Sequence, residues 1–174
     1  MSAHLTLIAA VSADGFISRG KGVPWDLPLD RAQFRAYTEK KWLLIGRRTY
    51  EEMQGWFKPG QHPLVLTRGP QISSESTIMP QTVHTVSQAL LMAQKQPELV
   101  CCGGAEIYAA AMPYAQRLVI THVHDFLGSG LPFPAISLRE WETVSRQSHG
   151  MDAEHASAFD IVTYQRIRQL DLAA

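Results

Sequence analysis

Short apolar runs recur along the chain, and polar or glycine-rich stretches separate them. Several are nearly continuous in apolar residues, which is typical of strands covered on both faces, and they predict strands at residues 5–11, 41–45, 63–67, 99–102 and 117–123. Between them, helical patterns predict helices at residues 30–39, 49–53, 87–94 and 105–112. This alternation of strand with helix predicts a mostly parallel sheet.

The carboxyl-terminal part of the chain has a different pattern. Two strand-like segments, residues 142–147 and 158–167, flank a polar loop at 148–157, which predicts an antiparallel hairpin at one edge of the sheet. The predicted fold class is therefore α/β, with a mostly parallel central sheet, flanking helices and this hairpin. We expect a single domain over residues 1–168 and a short tail over residues 169–174.

The composition narrows the function without identifying it. The 174 residues are 45% hydrophobic and 18% charged, which suits one globular core. Basic and acidic residues number 16 each, so the formal charge is zero and the chain has no electrostatic signature of binding to nucleic acid or an anionic membrane. The first residues carry neither a basic segment nor an apolar stretch long enough to span a bilayer, so we expect a cytoplasmic location.

The cysteines and histidines predict neither a disulfide nor a metal site. Cys101 and Cys102 are neighbours on a predicted strand and point to opposite faces, so they cannot form an ordinary disulfide and fit a reducing compartment. His122 and His124 would share a strand face, which is one way to begin a metal site. No third ligand follows at a recognisable spacing, so no metal is expected.

One predicted strand-to-helix junction places basic residues next to a glycine. The strand at 41–45 is followed by Gly46, Arg47 and Arg48, and Thr49 and Glu52 stand at capping-box spacing for a helix start. Free backbone amides and two guanidinium groups would converge there, which suits a phosphate group.

A second junction and a later arginine strengthen this interpretation. Gly103 and Gly104 follow the strand at 99–102, so a backbone without side chains could approach an anion at the next helix start. A tight turn would explain either glycine pair alone, but two such junctions on one parallel sheet favour a dinucleotide across its edge. Arg68 follows the strand at 63–67, where it would either meet a ribose phosphate or be a solvated loop residue.

A stiff loop with two carboxylates precedes the first predicted helix. Residues 23–30 contain two prolines and Trp25, and Asp30 stands four and seven positions before Phe34 and Tyr37 on one helix face. The residues alone leave two interpretations of Asp30 open. It is either a helix-terminal carboxylate stabilised by the helix dipole or the acid of an otherwise apolar pocket.

Taken in order, these motifs resemble dihydrofolate reductase over nearly the whole chain. The resemblance rests on residues 7–10, Pro24-Trp25-Asp26-Leu27-Pro28-x-Asp30, Gly46-Arg47-Arg48-Thr49-Tyr50-Glu51, Pro59-Gly60, Gly103-Gly104-x-x-Ile107-Tyr108, Leu118-x-x-Thr121-His122 and Phe133-Pro134. It implies reduction of 7,8-dihydrofolate to 5,6,7,8-tetrahydrofolate by hydride transfer from NADPH. It also implies a small-molecule substrate and a chain that is a monomer or a homodimer.

The resemblance also implies roles for individual residues. The catalytic residues would be Asp30, which binds the pterin, Thr121, which hydrogen-bonds to Asp30 and the pterin, and Trp25. The substrate would contact Ile8, Ala9, Asp30, Phe34, Met53, Phe57, Tyr108 and Thr121. NADPH would contact Ala10, Ile17, Gly22, Gly46, Arg47, Arg48, Thr49, Thr67, Arg68, Gly103, Gly104, Ala105, Glu106, Ile107 and Tyr108.

The sequence departs from the family at two places. Gln61 follows the Pro-Gly turn, where the family usually has an arginine that pairs with the α-carboxylate of the folate glutamate. Loss of that pair predicts weaker folate binding, by roughly tenfold to a hundredfold, unless Arg35 or Lys58 compensates. The usual Gly-Asp-Thr before x-Phe-Pro is missing from residues 128–134, so closure of a loop over the cofactor is expected to differ.

One segment resembles a second NADPH-dependent family. Residues 12–17 match the Ser-x-Asp-Gly-x-Ile segment in the reductase domain of riboflavin biosynthesis enzymes, which reduces a ribosylamino-pyrimidine. That domain does not normally carry the loop that contains Trp25 and Asp30. Reduction of such a pyrimidine is the alternative function, and a non-catalytic NADPH-binding module is the third.

Overall fold

The computed structural model describes residues 3–20, 23–72 and 78–167. Along the chain its elements are β1 (His4–Ser12), β2 (Phe16–Ser18), α1 (Pro28–Thr38), β3 (Trp42–Gly46), α2 (Arg47–Glu52), β4 (His62–Leu66), β5 (Gln81–Val83), α3 (Val86–Met92), β6 (Glu98–Cys101), α4 (Ala105–Ala111), a 3₁₀ turn (Met112–Tyr114), β7 (Arg117–Val123), β8 (Leu131–Pro132), β9 (Trp141–His149) and β10 (Phe159–Arg166).

Eight strands form one sheet, in the order β5-β4-β3-β6-β1-β7-β10-β9. From β5 to β7 every neighbouring pair is parallel, whereas β10 pairs antiparallel with both β7 and β9. The predicted α/β class, the mostly parallel sheet and the antiparallel carboxyl-terminal hairpin are confirmed. The predicted tail at residues 169–174 lies outside the described residues.

Alternating residues of the central strands build two cores, one on each face of the sheet. Leu7, Leu44 and Leu118 pack on the face that α3 and α4 cover, while Ile8, Ile45 and Val119 pack on the face that α1 and α2 cover. Full burial of one such aliphatic side chain stabilises the fold by about 1.5 to 3 kcal/mol. Cys101 and Cys102 belong to opposite cores and are both free thiols, as the strand geometry predicts.

Three short strands were not predicted, α1 and α2 both begin two residues before their predicted starts, and the capping box predicted for α2 is wrong. β2, β5 and β8 have two or three residues each, which is too short for an alternating hydrophobic pattern to appear. The spacing of Thr49 and Glu52 predicts a capping box, but α2 begins two residues earlier, and its N-cap Gly46 makes no side-chain hydrogen bond. The helix starts directly from the end of β3, so Thr49 lies inside its first turn.

No helix in the described part of the chain is both long enough and apolar enough to cross a membrane.

Candidate active site

A cavity of about 1560 Å³ opens where the parallel strands end. Its lining includes Ala10 at the end of β1, Gly46 at the end of β3, Leu66 at the end of β4 and Cys102 just after β6. The start of α1 borders it on one side, and the starts of α2 and α4 border it on another. Ligands of open α/β sheets bind at this edge, so the fold gives the cavity the usual location of an active site.

Asp30 is the carboxylate in the first turn of α1, and it is half-buried at the cavity wall. It accepts a hydrogen bond from the Thr121 hydroxyl on β7, which is 91 residues away in sequence. Burial raises the pKa of Asp30, and the hydrogen bond from Thr121 opposes that rise. The N-cap of α1 is Leu27, so Asp30 does not occupy the capping position, but it lies in the first helical turn as well as at the cavity wall. Both interpretations of Asp30, the helix-terminal charge and the pocket acid, are compatible with this position.

The wall next to Asp30 is apolar. Ile8, Phe34 and Met53 line it, as the sequence predicts, and Trp56 lines it as well, with its ring 5.2 Å from that of Phe34. Phe57 is absent from the lining and packs on Tyr50 instead, with ring centroids 5.4 Å apart. Trp56 was not predicted, since the resemblance did not mark it although it directly precedes Phe57.

Trp25 also lines this cavity, and its indole N–H is unpaired within the described part of the chain. Its indole Nε1–H is buried and has no acceptor among the residues that the structure describes. Buried donors are normally paired, because an unpaired one costs about 1 to 3 kcal/mol. An orphaned donor at a cavity wall fits a ligand, or water held by a ligand, as its acceptor.

The two glycine junctions lie side by side, because β3 and β6 are neighbours in the sheet. The N–H of Gly46 donates to the carbonyl oxygen of Gly103 at 2.7 Å, and the Gly103-Gly104 peptide bond is cis. A Cβ at Gly46 would lie 2.8 Å from Ile107 Cγ1, and one at Gly103, which has a φ of +105°, would lie 2.9 Å from the Tyr108 ring. Neither position accommodates a side chain, so bare backbone forms this edge.

The same edge provides donors for an anion. The N-caps of α2 and α4 are Gly46 and Gly104, and neither makes a side-chain cap, which leaves the first backbone N–H groups of both helices open to a ligand. Arg48 and Arg68 line the cavity, are exposed and have no ion-pair partner in the described residues. Arg47 also lines it, but its Nε lies 3.1 Å from a Glu51 oxygen. The backbone and the two free arginines fit a phosphate-bearing cofactor.

The structure brings most of the predicted site residues to one cavity. Phe57 and Gly103 are not part of the lining, and Gly22 lies outside the described residues. The lining contains every other predicted residue: Ile8, Ala9, Ala10, Ile17, Trp25, Asp30, Phe34, Gly46, Arg47, Arg48, Thr49, Met53, Thr67, Arg68, Gly104, Ala105, Glu106, Ile107, Tyr108 and Thr121. It also contains residues that were not predicted, among them Ser18, Leu27 and Leu131.

Leu131 reaches the cavity because the loop before it is tied to the loop after β1. The Asp14 carboxylate accepts from the Ser12 hydroxyl at 2.6 Å, from the Leu127 N–H at 3.1 Å and from the Gly128 N–H at 2.8 Å. The Ser12 hydrogen bond, helped by the two backbone bonds, lowers the pKa of Asp14 although partial burial opposes this. The loop at 125–130 lacks the Gly-Asp-Thr of the family pattern. Asp14, on the loop after β1, supplies the carboxylate that joins the two loops.

Gln61 is buried and faces the protein. Its Oε1 accepts from the Lys58 N–H at 2.9 Å, and its Nε2 donates to the Thr38 carbonyl oxygen at 3.2 Å. Arg35 and Lys58 border a groove of about 250 Å³ beside it, and the Arg35 guanidinium lies 5.5 Å from the Trp56 ring centre. Arg35 and Lys58, the two residues that could take over the role of the family's usual arginine, therefore lie next to Gln61.

The histidines group differently from the sequence expectation. His122 Nε2 lies 2.8 Å from the Tyr164 hydroxyl, and His124 Nε2 lies 3.0 Å from an Asp160 oxygen. A cluster that the sequence did not indicate joins His149, Asp152 and His155, whose polar atoms all lie within 4.8 Å of one another. No periodic pattern links these three, since His149 ends β9 and the other two lie in the loop that follows it.

Comparison with known proteins agrees with this geometry. A family model described as "Dihydrofolate reductase" matches residues 4–166. Dihydrofolate reductase type 3 of Salmonella typhimurium is 32% identical over 164 residues, which cover 94% of this chain and 99% of that protein. Dihydrofolate reductase of Neisseria meningitidis serogroup A is 33% identical over 162 residues, covering 93% and 98%.

A solved structure resembles the fold over almost its whole length. It is dihydrofolate reductase from Enterococcus faecalis in complex with NADP(H) and the compound RAB-propyl. The two chains superpose with a TM-score of 0.85 at 28% sequence identity, and the match covers 97% of this chain and all of the other.

Proposed function

Since the chain belongs to the dihydrofolate reductase family, we propose that the cavity beside Asp30 binds the pterin ring of the substrate. The protein is an NADPH-dependent oxidoreductase that reduces 7,8-dihydrofolate to 5,6,7,8-tetrahydrofolate. The observation that carries the site assignment is Asp30, a half-buried carboxylate that Thr121 bonds in an otherwise apolar wall.

Asp30 binds the pterin through two adjacent donors, its amino group and the neighbouring ring nitrogen. Paired hydrogen bonds to a carboxylate are stronger than neutral ones and fix the plane of the ring. The Thr121 hydroxyl engages one carboxylate oxygen and holds the group in place. A negative charge held near the ring in a weakly polar site also makes the ring more basic, so that its N5 accepts a proton more readily.

The apolar residues around Asp30 exclude water from the reacting ring. Ile8, Phe34, Met53 and Trp56 would cover the pterin, and Ile17 also lines the cavity. The Trp25 Nε1–H, which lacks an acceptor among the described residues, is the polar group we assign to orienting the substrate or a bound water. A dry pocket strengthens each of these electrostatic contacts.

When bound, NADPH would supply the hydride that reduces the pterin at C6. The backbone at Gly46 and Gly104 and the starts of α2 and α4 would hold its phosphates, and Ala10 and Ile17 would border the nicotinamide. Arg48 and Arg68, which have no ion-pair partner in the described residues, meet the 2′-phosphate. These residues fit the cofactor because the glycine edge lacks room for side chains and offers backbone donors.

NADPH consumption with two competing substrates tests the assignment. We expect dihydrofolate to be reduced and the ribosylamino-pyrimidine to compete poorly, since residues 12–17, which resemble the riboflavin-pathway reductase, serve to join two loops through Asp14. Faster reduction of the pyrimidine would contradict the pterin assignment. NADPH binding without turnover of either compound would identify a non-catalytic module.

Gln61→Arg should tighten dihydrofolate binding, because an arginine is too long for the buried position of Gln61 and would extend into the adjoining groove, where we place the glutamate tail. We expect KM for dihydrofolate to fall by roughly tenfold to a hundredfold, the size of one charge-assisted hydrogen bond. The turnover number should change little, since this contact forms equally in the ground and transition states. Steady-state kinetics at several dihydrofolate concentrations measure both quantities.

A pterin without the glutamate is the control for this substitution, and its KM should stay the same. An equal gain for that truncated substrate would show that the tail does not lie beside residue 61. The variant also loses the oxygen that accepts from the Lys58 N–H, so we expect a small decrease in the free energy of unfolding, about 0.5 to 1.5 kcal/mol.

We also propose a cytoplasmic location, supported by two buried free thiols of the kind found in reducing compartments. Whether the protein is a monomer or a homodimer stays a prediction.

A further inference from the structure

The first turn of α1 carries Asp30 but has no capping side chain of its own. Its N-cap residue is Leu27, which makes no side-chain hydrogen bond to the helix. Pro28 has no backbone N–H, so the first donor of the helix is the N–H of Leu29. That N–H donates to Nε2 of His155, 3.1 Å away and 126 residues further along the chain.

His155 is held in a defined orientation within the loop at 150–158, which joins β9 to β10. Its side chain is only 4% exposed, and its ring lies 4.7 Å from the His149 ring and 5.5 Å from the Phe159 ring. Its Nδ1 lies 2.8 Å from an Asp152 oxygen, and that oxygen also accepts from the backbone N–H groups of Glu154 and His155. Packing fixes the ring plane, and hydrogen bonds engage both ring nitrogens.

These partners determine the tautomer of the ring. Since Nε2 accepts a hydrogen bond from a backbone N–H, it carries no proton. In the neutral ring the proton is therefore on Nδ1, where Asp152 accepts it. Asp152 thus keeps His155 in the form that can cap α1.

We propose that His155 is a positioning residue for the reductase, holding the first turn of α1, and with it Asp30, in place for the pterin. The proposal rests on the role proposed above for Asp30, which directly follows Leu29. The ladder of α1 begins only with the Arg31 N–H, which donates to the Leu27 carbonyl oxygen at 3.0 Å. A carboxylate that must meet two donors of a planar ring tolerates little displacement, so fixing this turn favours catalysis.

The hydrogen bonds of the His149, Asp152 and His155 cluster do not suit a metal ion. A metal at Nδ1 of His155 would displace the proton that goes to Asp152, while Nε2 would still have to accept from Leu29. The ring would then have to be a fully deprotonated imidazolate, although neutral imidazole is the usual ligand. The hydrogen bonds therefore favour a cap over a metal centre.

Two substitutions of His155 separate capping from simple space filling. Glutamine places an oxygen near the position of Nε2 and can accept from Leu29, whereas asparagine reaches only the position of Nδ1, beside Asp152. We expect His155→Asn to lower kcat/KM for dihydrofolate roughly tenfold, within the range for loss of a helix cap, and His155→Gln to restore most of it. The Kd for NADPH should change less than about twofold in both, since α1 borders the pterin side of the cavity.

The matched control is His124→Asn, which replaces an exposed histidine directly after β7 whose ring bonds to Asp160. It should leave both constants unchanged. Equal losses in the Gln and Asn variants, or a parallel loss of NADPH binding, would mean that His155 only fills space, and the proposal would be wrong.

A measurement on the unaltered protein does not depend on any variant folding. Nitrogen NMR of the histidine rings should show His155 with a proton on Nδ1 and none on Nε2, and the Leu29 amide should exchange slowly. A proton on Nε2 overturns the proposal, as does tight binding of added Zn²⁺ that both His155 variants abolish. The tautomer of His155 and the exchange rate of the Leu29 amide do not depend on the charge of Asp30. An Asp30→Asn variant with an unaltered rate would therefore refute the proposed function and leave the tautomer unchanged.

Discussion

Asp30→Asn will lower the rate of NADPH oxidation with dihydrofolate near neutral pH by about 10²- to 10⁴-fold, the usual size of proton-transfer assistance. Asparagine keeps the shape of the side chain and can still accept from Thr121, but it removes the negative charge. The loss should become smaller as pH falls, because substrate that is already protonated needs no assistance from the carboxylate. A pH profile of turnover in both proteins measures this.

A structural role for Asp30 predicts a different result. Asparagine serves at helix starts nearly as well as aspartate, so the cost would then be at most about 0.5 to 2 kcal/mol of stability, with turnover little altered. A variant with near-native rate and an unaltered pH profile would remove Asp30 from the mechanism.

The same variant should be more stable than the native protein at neutral pH. Burial raises the pKa of Asp30, so over the range between the ordinary and the raised pKa the folded state binds more protons than the unfolded state. The free energy of unfolding of the native protein therefore falls as pH rises through the raised pKa. Asparagine does not titrate, so the variant lacks this decrease. Urea unfolding should be measured at neutral pH and at a pH below the ordinary carboxyl pKa. We expect the variant to have the larger free energy of unfolding only at neutral pH.

Replacing Arg48 and Arg68 together with glutamine will abolish the preference for NADPH over NADH. Both side chains line the cavity and have no ion-pair partner in the described parts of the chain, so they are free to meet the 2′-phosphate. One charge-assisted hydrogen bond contributes about 1.5 to 3 kcal/mol, so losing two should reduce the ratio of kcat/KM values by roughly a hundredfold or more. Because both arginines are exposed, the effect should be largest at low ionic strength.

Two other arginines serve as comparisons for this pair. Arg47→Gln should have a smaller effect, since the Arg47 side chain already pairs with Glu51. Arg139→Gln, at an exposed position outside the cavity lining, should leave the ratio unchanged. An unchanged ratio in the Arg48 and Arg68 double variant would show that these positions do not recognise the 2′-phosphate.

Much of the cavity edge formed by the two glycine junctions, where we propose that the nucleotide binds, could be predicted from local sequence. Glycines and arginines directly after apolar strands indicate strand-to-helix junctions, and the structure brings both junctions to one cavity, with Gly46 bonded to Gly103. The start of α2 could not be predicted from the capping-box spacing, because the helix follows β3 without a linker and needs no side-chain cap.

The part of the cavity around Asp30, where we propose that the pterin binds, was harder to predict, because contacts between distant parts of the chain form it. Asp30 could be singled out as an acid on an apolar helix face, but the spacing did not decide between a helix-terminal charge and a pocket acid. Its hydrogen bond from Thr121, 91 residues away, and its half-burial support our proposal that it is a pocket acid. Trp56 lies in the loop after α2, and Leu131 lies in the two-residue strand β8, which pairs with β2; neither placement has a periodic signal in the sequence.

The sequence by itself determined the two faces of the sheet, because side chains alternate along a strand whatever that strand pairs with. It therefore fixed the separation of Cys101 from Cys102 and the apolar strands that form both cores. Only the tertiary structure decided that Asp14 would join the loop at 125–130 and that His155 would cap α1. Those contacts span more than 110 residues, and they form because the order of strands in the sheet, which no local pattern encodes, places the loops together.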